Sequence, residues 1–223
     1  MLTRVPEPEV MDELEEVQAY DVMDHSFVNR LFIDDFAQIT DLSQPLSILD
    51  AGTGTGLIPL AMIERFPQLQ IRAIDQSAPM IDQANCHLAK CDSRDKLCFA
   101  VENACDLPCP DSQFDLVISN SLVHHLPDPL PFFQEACRVL KPGGKLFLRD
   151  LARPDFEATL ESLVEMHAGT EGPVQRQLFR QSLWAAFRCE EIEAMLRQCE
   201  NLQFQIAMTS DRHWTVTGQR AAG

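Results

Sequence analysis

Short apolar runs alternate with longer amphipathic stretches along the middle of the chain, between residues 44 and 150. The runs LSILDAG, LQIRAID, KLCFAVENA, FDLVISNS and KLFLRDLA are typical of buried strands, whereas IPLAMIERF, APMIDQANCHLAKC and PLPFFQEACRVL have the spacing of helices. Parallel strands need crossover connections, and helices usually supply them. The pattern therefore predicts an α/β fold with a doubly wound, mostly parallel sheet that helices cover on both faces.

Helical segments flank this alternating region. Residues 7–40 begin as an acidic helix and continue as an amphipathic one, and residues 155–187 carry apolar side chains at helical spacing. Residues 188–223 contain a further helix, CEEIEAMLRQCE, and two strand-like segments that a short polar turn joins into a hairpin. Neither a repeat nor a long linker divides the chain, so we expect one domain over residues 1–223 with its core at 44–150.

Composition and charge narrow the classes of function. A chain of 223 residues with 45% hydrophobic content can build a sizeable core. Its 34 acidic and 18 basic residues give a formal net charge of −16, which repels a phosphate backbone. We therefore expect no nucleic-acid partner. The first residues form no signal peptide and no eighteen apolar residues run together, so we expect a cytoplasmic protein without a membrane span.

The metal-binding residue types follow no ligand pattern. Eight cysteines include no CxxC pair and no spacing typical of zinc, so we interpret them as reduced, structural thiols. His124 and His125 are neighbours, and adjacent residues on a helix point about 100° apart, so we do not expect them to share a metal ion. The sequence predicts a metal-independent site.

A glycine-rich loop carries the densest chemical signal. In ILDAGTGTGLIPL a strand ends at Asp50 and the chain runs through Gly52, Gly54 and Gly56 into a helix. Glycine lets the backbone turn sharply and approach a ligand closely. The N-terminus of the helix offers unpaired N–H groups to an anion, and Asp50 adds a negative charge. The loop thus suits a ligand that has both an ammonium and a carboxylate group.

A second carboxylate follows at the end of the next strand, where Asp75 stands in IRAIDQS. A carboxylate in this place can accept both hydroxyls of a ribose, which implies a nucleoside ligand. Nicotinamide dehydrogenases share this layout, but their loop is G-x-G-x-x-G and no Tyr-x-x-x-Lys is present here, so they are the less favoured alternative. A cofactor-binding or scaffold protein without turnover stays open, because binding and chemistry depend on different residues.

Four stretches together give the chain a family resemblance: ILDAGTGTG, AIDQSAPMIDQA, ENACDLPCPDSQFDLVISNSLVHHLPDP and EACRVLKPGGKLFLRD. In order and spacing over residues 46–150 they resemble the class I S-adenosylmethionine-dependent methyltransferases. The small-molecule branch with the ubiquinone and menaquinone C-methyltransferases is the most similar, and YDVMD at 20–24 resembles that group. The resemblance implies a Rossmann-like sheet of seven strands with a C-terminal antiparallel hairpin, S-adenosyl-L-methionine as cofactor, and a small-molecule acceptor.

The resemblance also implies a set of cofactor-binding residues. They are Tyr20, Asp50, Gly52, Thr53, Gly54, Gly56, Asp75, Gln76, Met80, Asn103, Ala104 and Asn120. In the family the glycine loop holds the methionine part of the cofactor and the carboxylate after the second strand holds the ribose. By the same resemblance Gln76 and Met80 flank the adenine, and Ala104 offers it a backbone N–H. Asn103 stands where many relatives have an aspartate; its carbonyl can still accept the adenine amino group but brings no charge.

The resemblance places two of the remaining positions near the amino-acid end of the cofactor. Asn120 is expected beside the methionine ammonium and Tyr20 near the carboxylate. Asp115 in QFDLV also matches a family position, but we interpret it as an acceptor for nearby backbone N–H groups.

Methyl transfer from a sulfonium is an in-line displacement, so the protein mainly has to orient the acceptor and exclude water. Where the acceptor must lose a proton, we expect His125 to be the catalytic residue because HHL matches the family there, with His25 or Asp150 as alternatives. C-, O-, N- and S-methylation stay open, although SNSLVHH lacks the NPPY-type motif of amide and base-amine methylation. We expect residues 7–40 and 155–187 to form a lid over the acceptor pocket; a permanently packed cover or a homodimer contact is the alternative.

Overall fold

The computed structural model describes residues 1–7, 26–91 and 94–222 of the chain. Tyr20 and His25 lie outside the described residues, as does about half of the first predicted lid segment.

Seven helices and seven strands make up the described part of the chain. The helices are α1 (Ser26–Phe36), α2 (Leu57–Arg65), α3 (Ala78–Leu88), α4 (Leu130–Val139), α5 (Glu157–Ala168), α6 (Pro173–Ala185) and α7 (Cys189–Leu196). The strands are β1 (Ser47–Ala51), β2 (Gln70–Asp75), β3 (Leu97–Val101), β4 (Phe114–Asn120), β5 (Leu140–Leu151), β6 (Leu202–Met208) and β7 (His213–Arg220). Short 3₁₀ turns cover Arg94–Lys96 and Val123–His125. Of the helices described, none is long and apolar enough to cross a membrane.

The seven strands form one sheet in the order β3-β2-β1-β4-β5-β7-β6. All neighbours are parallel except β7, which runs antiparallel to both β5 and β6. The predicted mostly parallel, seven-stranded sheet with a terminal hairpin is therefore confirmed. The strand order reverses between β1 and β4, and in such sheets ligands bind beyond the carboxyl ends of the strands at this switch point.

Helices cover both faces of the sheet because successive strand residues point to opposite sides. On one face α1 packs Phe32 and Phe36 against Phe147 of β5, with ring centroids 5.2 and 5.7 Å apart in edge-to-face contacts. The other face holds α4, α7 and Trp214 of β7, whose ring is fully buried. The indole Nε1 of Trp214 has no hydrogen-bond partner among the described residues. The sheet thus separates two apolar cores.

A third, smaller apolar cluster holds the inserted helices α5 and α6. Its buried members are Leu151, Leu160, Leu163, Val164, Leu183 and Ala186. The first residues of the chain also pack here, because the N–H of Leu2 donates to the carbonyl of Asp155 (2.9 Å) and that of Val5 to the carbonyl of Trp184 (3.1 Å). Segment 1–7 therefore lies against the insertion.

Asp115 joins the amino-terminal ends of strands β1, β4 and β5 through hydrogen bonds. Its Oδ2 accepts hydrogen bonds from the backbone N–H and the hydroxyl of Ser47, both at 2.9 Å, and from Nζ of Lys141 at 2.8 Å. The expectation of a nearby backbone partner is wrong, because β1 and β4 are paired strands and Ser47 is 68 residues away in sequence. The residue is structural, but it joins distant segments.

Candidate functional site

The glycine loop leaves β1 and enters α2 at the switch point of the sheet. Gly52, Gly54 and Gly56 all have positive φ, at 74°, 55° and 78°. A Cβ on Gly56 would lie 2.4 Å from Cζ of Phe99, so that position tolerates no side chain. A Cβ on Gly54 would meet no atom within 4 Å. The loop backbone is thus close-packed at its end and open in its middle, where a ligand can approach.

Asp75 joins the glycine loop to the end of β2. Its Oδ2 accepts a hydrogen bond from the N–H of Gly54 at 2.8 Å, and its Oδ1 accepts one from the N–H of Ser77 at 3.0 Å. The carbonyl of Ile74 accepts two more from the loop, at 2.9 Å each. A carboxylate therefore lies directly against the open part of the loop, in the position predicted for ribose recognition.

Asp50 is buried beneath the same loop, with 2% of its surface exposed. Burial raises the pKa of its carboxyl to about 7, the hydrogen bond from the Thr53 hydroxyl (2.7 Å) opposes the shift, and the charge of Asp75 adds to it. The hydroxyl of Thr55 is also buried, and none of the described residues bonds to it. A buried carboxyl of this kind gains from a nearby cation, as the ammonium of an amino-acid ligand would provide.

The loops after β2 and β3 lie side by side, since the carbonyl of Asp75 accepts the N–H of Glu102 at 2.9 Å. Gln76 is exposed in the first loop, Met80 is buried in the first turn of α3, and Ala104 is buried in the second loop. Asn103 is exposed, but its Oδ1 already accepts the N–H of Cys105 at 2.9 Å. Any bond from an adenine amino group would use the second lone pair of that carbonyl.

Asn120 ends β4 between β1 and β5. The preceding hydroxyl, of Ser119, donates to the carbonyl of Ala51 at 2.7 Å and so ties β4 to the start of the glycine loop. Ser121, which follows, has a left-handed φ of 61°, and its N–H bonds to the carbonyl of Arg149 at 2.9 Å. The strand therefore stops abruptly and leaves Asn120 half-buried at the carboxyl end of β4, beside the switch point of the sheet.

Asp150 at the end of β5 anchors the turn that carries the two histidines. Its Oδ1 lies 2.5 Å from Nδ1 of His124, and its Oδ2 accepts the N–H groups of Val123 (2.5 Å) and His124 (3.2 Å). Burial disfavours the charge on both side chains, but their attraction outweighs it, so the pKa of Asp150 is lowered and that of His124 is raised. With no exposed surface and these donors around it, Asp150 is a poor candidate for a base.

His125 is the more accessible of the two histidines, with 32% of its side chain exposed. Its Nδ1 lies 2.5 Å from Oε2 of Glu7, and Oε1 of Glu7 accepts a hydrogen bond from the Ser182 hydroxyl at 2.6 Å. Burial disfavours the Glu7 charge, but the hydrogen bond from His125, the charges of the two histidines and the hydrogen bond from Ser182 together outweigh it, so the pKa of Glu7 is lowered. A carboxylate from the start of the chain thus orients this imidazole.

The rings of His124 and His125 lie together, with centroids 4.0 Å apart and planes inclined by 37°. The expectation that neighbouring histidines diverge is wrong for the ring atoms. Residue spacing fixes only the direction of the Cα–Cβ bonds, whereas each ring is turned by its own carboxylate, His124 by Asp150 and His125 by Glu7. One potential ligand atom from each of Glu7, His124 and His125 lies within 4.8 Å of the other two.

Arg4 fixes the segment that carries Glu7. Its Nη2 donates to the carbonyls of His124 (3.1 Å) and Leu126 (2.8 Å), and its Nε donates to the carbonyl of Ala185 at 2.6 Å. The guanidinium also stacks 3.8 Å from the centroid of the Phe187 ring. No local sequence pattern predicts the roles of Arg4 and Glu7, because their partners are more than a hundred residues away.

A family profile described as a methyltransferase domain matches residues 49–148, the stretch that contains the glycine loop, Asp75 and the histidine turn. Over this stretch the chain is similar to the class I S-adenosylmethionine-dependent methyltransferases. The family prediction from sequence is confirmed, and S-adenosylmethionine is the cofactor of this family.

Individual relatives of the chain agree with this similarity. It is 29% identical over 181 residues to 27-O-demethylrifamycin SV methyltransferase of Amycolatopsis mediterranei, a match of 79% of this chain and 62% of the relative. It is 36% identical over 128 residues to malonyl-[acyl-carrier protein] O-methyltransferase of Hahella chejuensis, covering 57% and 43%. The chain thus spans less than two thirds of the length of these relatives.

Similarity in three dimensions extends over most of the chain. The crystal structure of a SAM-dependent methyltransferase from Aquifex aeolicus superposes with a TM-score of 0.71, covering 94% of this chain and 99% of that one. The two sequences are 17% identical, so the likeness concerns the fold.

The residues at the carboxyl ends of the parallel strands fit S-adenosylmethionine, the cofactor of the similar family. Open space at Gly54, a carboxylate at Asp75 and a buried acid at Asp50 suit a ligand with a ribose and an ammonium group. The described members of the predicted cofactor set all lie at the carboxyl ends of β1 to β4 or in the loops and helix that follow. Their individual roles stay predictions.

Proposed function

We propose that this chain transfers the methyl group of S-adenosylmethionine to a small-molecule acceptor. The observation that carries the proposal is the glycine loop, whose open Gly54 is bonded to Asp75 above the buried Asp50. The names of both relatives specify O-methylation, which favours a hydroxyl or carboxyl oxygen as the acceptor atom. The alternative is a cofactor-binding or scaffold protein without turnover.

The cofactor, when bound, supplies an electrophilic methyl group on a sulfonium sulfur. The protein then has to hold the acceptor in line with that methyl group and exclude water. In this proposal the glycine loop and Asp75 bind one partner, and the histidine turn lies on the side of the acceptor. Asn120, between the two, contacts the amino-acid part of the cofactor.

His125 is the residue we assign to proton removal where the acceptor is a hydroxyl. Because its Nδ1 is engaged by Glu7, Nε2 is the remaining nitrogen that can take the acceptor proton. Glu7 then acts as a positioning residue, since its carboxylate fixes the ring orientation and stabilises the imidazolium that forms. His124 is bonded to Asp150 and is 4% exposed, which leaves it less accessible for this task.

Cofactor binding and turnover test the proposal separately. Isothermal titration calorimetry should detect S-adenosylmethionine and its demethylated product but no nicotinamide dinucleotide. Methyl transfer should then appear in a panel of phenols, alcohols and carboxylic acids, and His125→Ala should lower kcat far more than it weakens cofactor binding. Binding without transfer to any acceptor would support the scaffold alternative, whereas preference for the dinucleotide would refute the cofactor assignment.

The two flanking segments are proposed as a lid over the acceptor. The insertion leaves the sheet directly after β5, and its cluster with segment 1–7 adjoins the histidine turn. The helix α1 packs Phe32 and Phe36 into the sheet core, which favours a permanent cover for residues 26–36. Hydrogen exchange distinguishes a lid from a dimer contact. A lid requires cofactor-dependent protection of residues 155–187. A dimer contact requires protection that rises with protein concentration.

A further inference from the structure

Glu7, His124 and His125 form a cluster of which the proposed proton transfer uses one imidazole and one carboxylate. A potential ligand atom of each lies within 4.8 Å of the other two. Two imidazoles and one carboxylate are the ligand set of catalytic zinc sites, where a fourth position stays open for water or substrate. We propose that this cluster binds a divalent transition-metal ion of the zinc type.

His124 is prepared for this role by Asp150. Because Nδ1 of His124 lies 2.5 Å from Oδ1 of Asp150, the imidazole keeps its lone pair on Nε2. Metal-bound histidines almost always donate their other nitrogen to a carboxylate or carbonyl, which fixes the ring and increases its basicity. Asp150 is itself held by the N–H groups of Val123 (2.5 Å) and Leu151 (2.6 Å), so this outer partner is rigid.

Glu7 and His125 supply the other two ligands. Their shared hydrogen bond of 2.5 Å joins Oε2 to Nδ1, and a metal ion would take the place of the proton between them. Ligand atoms in a tetrahedral zinc site are about 3.4 Å apart when the bonds are about 2.1 Å long. The cluster therefore has to rearrange by roughly an ångström to hold an ion, mainly through Glu7, which lies on the segment before the first described helix.

The chemistry of the donors selects the metal. Imidazole nitrogen favours zinc, copper, nickel or iron over magnesium and calcium, which prefer oxygen ligands alone. The carboxylates of Glu7 and Asp150 outnumber the single guanidinium of Arg4 that bonds to this turn. The site therefore favours a divalent cation.

A metal ion in this place would bind the acceptor oxygen and promote loss of its proton. His125 would then be a metal ligand and would not act as the base. That role rests on the proposed methyl transfer. Binding of the metal does not, and it is measurable without cofactor or acceptor.

The test uses tag-free protein stripped with a chelator and titrated with Co²⁺ and Zn²⁺. We expect one ion per chain by calorimetry, and visible Co²⁺ bands of a four- or five-coordinate site. Glu7→Gln and His125→Gln, whose side chains are partly exposed, should each weaken Zn²⁺ binding by at least about ten- to a hundredfold, the range for loss of an outer-shell partner. His167→Gln is the matched control, because His167 pairs with Asp211 elsewhere on the surface. The Zn²⁺ affinity of this variant should equal that of the native protein.

Lack of saturable Co²⁺ binding would overturn the metal site, and so would binding that both ligand variants retain in full. Cofactor titrations of the same metal-free samples separate the two proposals. Binding of S-adenosylmethionine without any metal binding would remove the metal site and leave the methyltransferase proposal intact. Metal binding without cofactor binding would remove the methyltransferase proposal and leave the metal site intact.

Discussion

The proposed cofactor half of the site, which is the glycine loop with Asp75, and its proposed acceptor half, which is the histidine turn with Glu7, are assembled in different ways. The cofactor half lies in consecutive loops between residues 50 and 104, where neighbouring parallel strands bring the backbone of the glycine loop against Ile74 and Asp75. The acceptor half draws on side chains from four distant segments, including Glu7, the histidine turn, Asp150 and Ser182. Backbone geometry and local spacing determine the first half, and tertiary packing determines the second.

We expect the largest effect from a substitution of Gly56, the most crowded glycine of the glycine loop. Gly56→Ala places a side chain at φ 78° and 2.4 Å from Phe99. The left-handed backbone alone costs about 1–2 kcal/mol, so we expect the total loss in the free energy of unfolding to exceed about 2 kcal/mol. Urea denaturation measures this loss, and cofactor binding should fall with it.

Gly54→Ala is the matched control for that variant. It introduces a methyl group at φ 55° where no atom lies within 4 Å, so the destabilisation should be limited to the backbone strain of about 1–2 kcal/mol. The methyl group fills the open part of the loop, and calorimetry should register a loss of cofactor binding in a folded protein. Normal affinity in Gly54→Ala would show that the ligand does not approach the loop there.

The next effect concerns the carboxylate that joins the loop to the second strand. Asp75→Ala should weaken S-adenosylmethionine binding by about 1.5–3 kcal/mol, the scale for hydrogen bonds to a charged group, or about ten- to 150-fold. The neighbouring exposed Gln76→Ala should have a smaller effect. If Asp75→Ala leaves the affinity unchanged, the ribose is not bound by this residue.

Asp50 makes cofactor binding depend on pH. An ammonium group beside this carboxyl lowers its pKa from about 7, so binding below pH 7 releases a proton and the affinity rises with pH, by up to about tenfold per unit. Calorimetry at pH 6.5 in two buffers of different ionisation enthalpy detects the proton. Asp50→Asn should abolish the pH dependence, and no proton release in the native protein would place the ammonium elsewhere.

The same group affects the ligand-free protein in the opposite direction. Its pKa of about 7 in the folded state exceeds the value of 3.8 expected for an unfolded chain, so the folded state binds more protons between these values. The Asp50 contribution to the free energy of unfolding therefore falls as pH rises from about 4 to 7 and is constant above. Comparison with Asp50→Asn across this range isolates the contribution.

The smallest expected effect lies outside both halves. Asp115→Ala removes the acceptor of Ser47 and Lys141 and should lower the free energy of unfolding by about 1–2 kcal/mol without changing cofactor affinity. Asp115→Asn, which keeps an oxygen for the N–H of Ser47, should lose less. A change in cofactor affinity in either variant would mean that the amino-terminal ends of the strands are coupled to the cleft.

The same contrast explains which parts the sequence could predict. The alternation of strands and helices, the terminal hairpin and the loop from Asp50 to Gly56 follow from local patterns, because hydrophobic periodicity and glycine spacing are read over a few residues. The proximity of the histidine rings, the carboxylate of Glu7 and the long-range partner of Asp115 depend on contacts between distant segments. Local spacing predicts the position of such residues along the backbone but not the contacts that orient their side chains.

The two tryptophans lie in different parts of the molecule, one in the sheet and one in the inserted helices, so their fluorescence can report on each part separately. Trp214 is fully buried and lies opposite Asp150 in the paired strands β5 and β7, whereas Trp184 is partly buried on α6 against the cluster of the insertion. Their fluorescence should therefore differ, with Trp214 emitting at shorter wavelength because no water reaches its ring. Trp214→Phe leaves Trp184 as the sole indole fluorophore, so stopped-flow emission of that variant would follow movement of the insertion in real time.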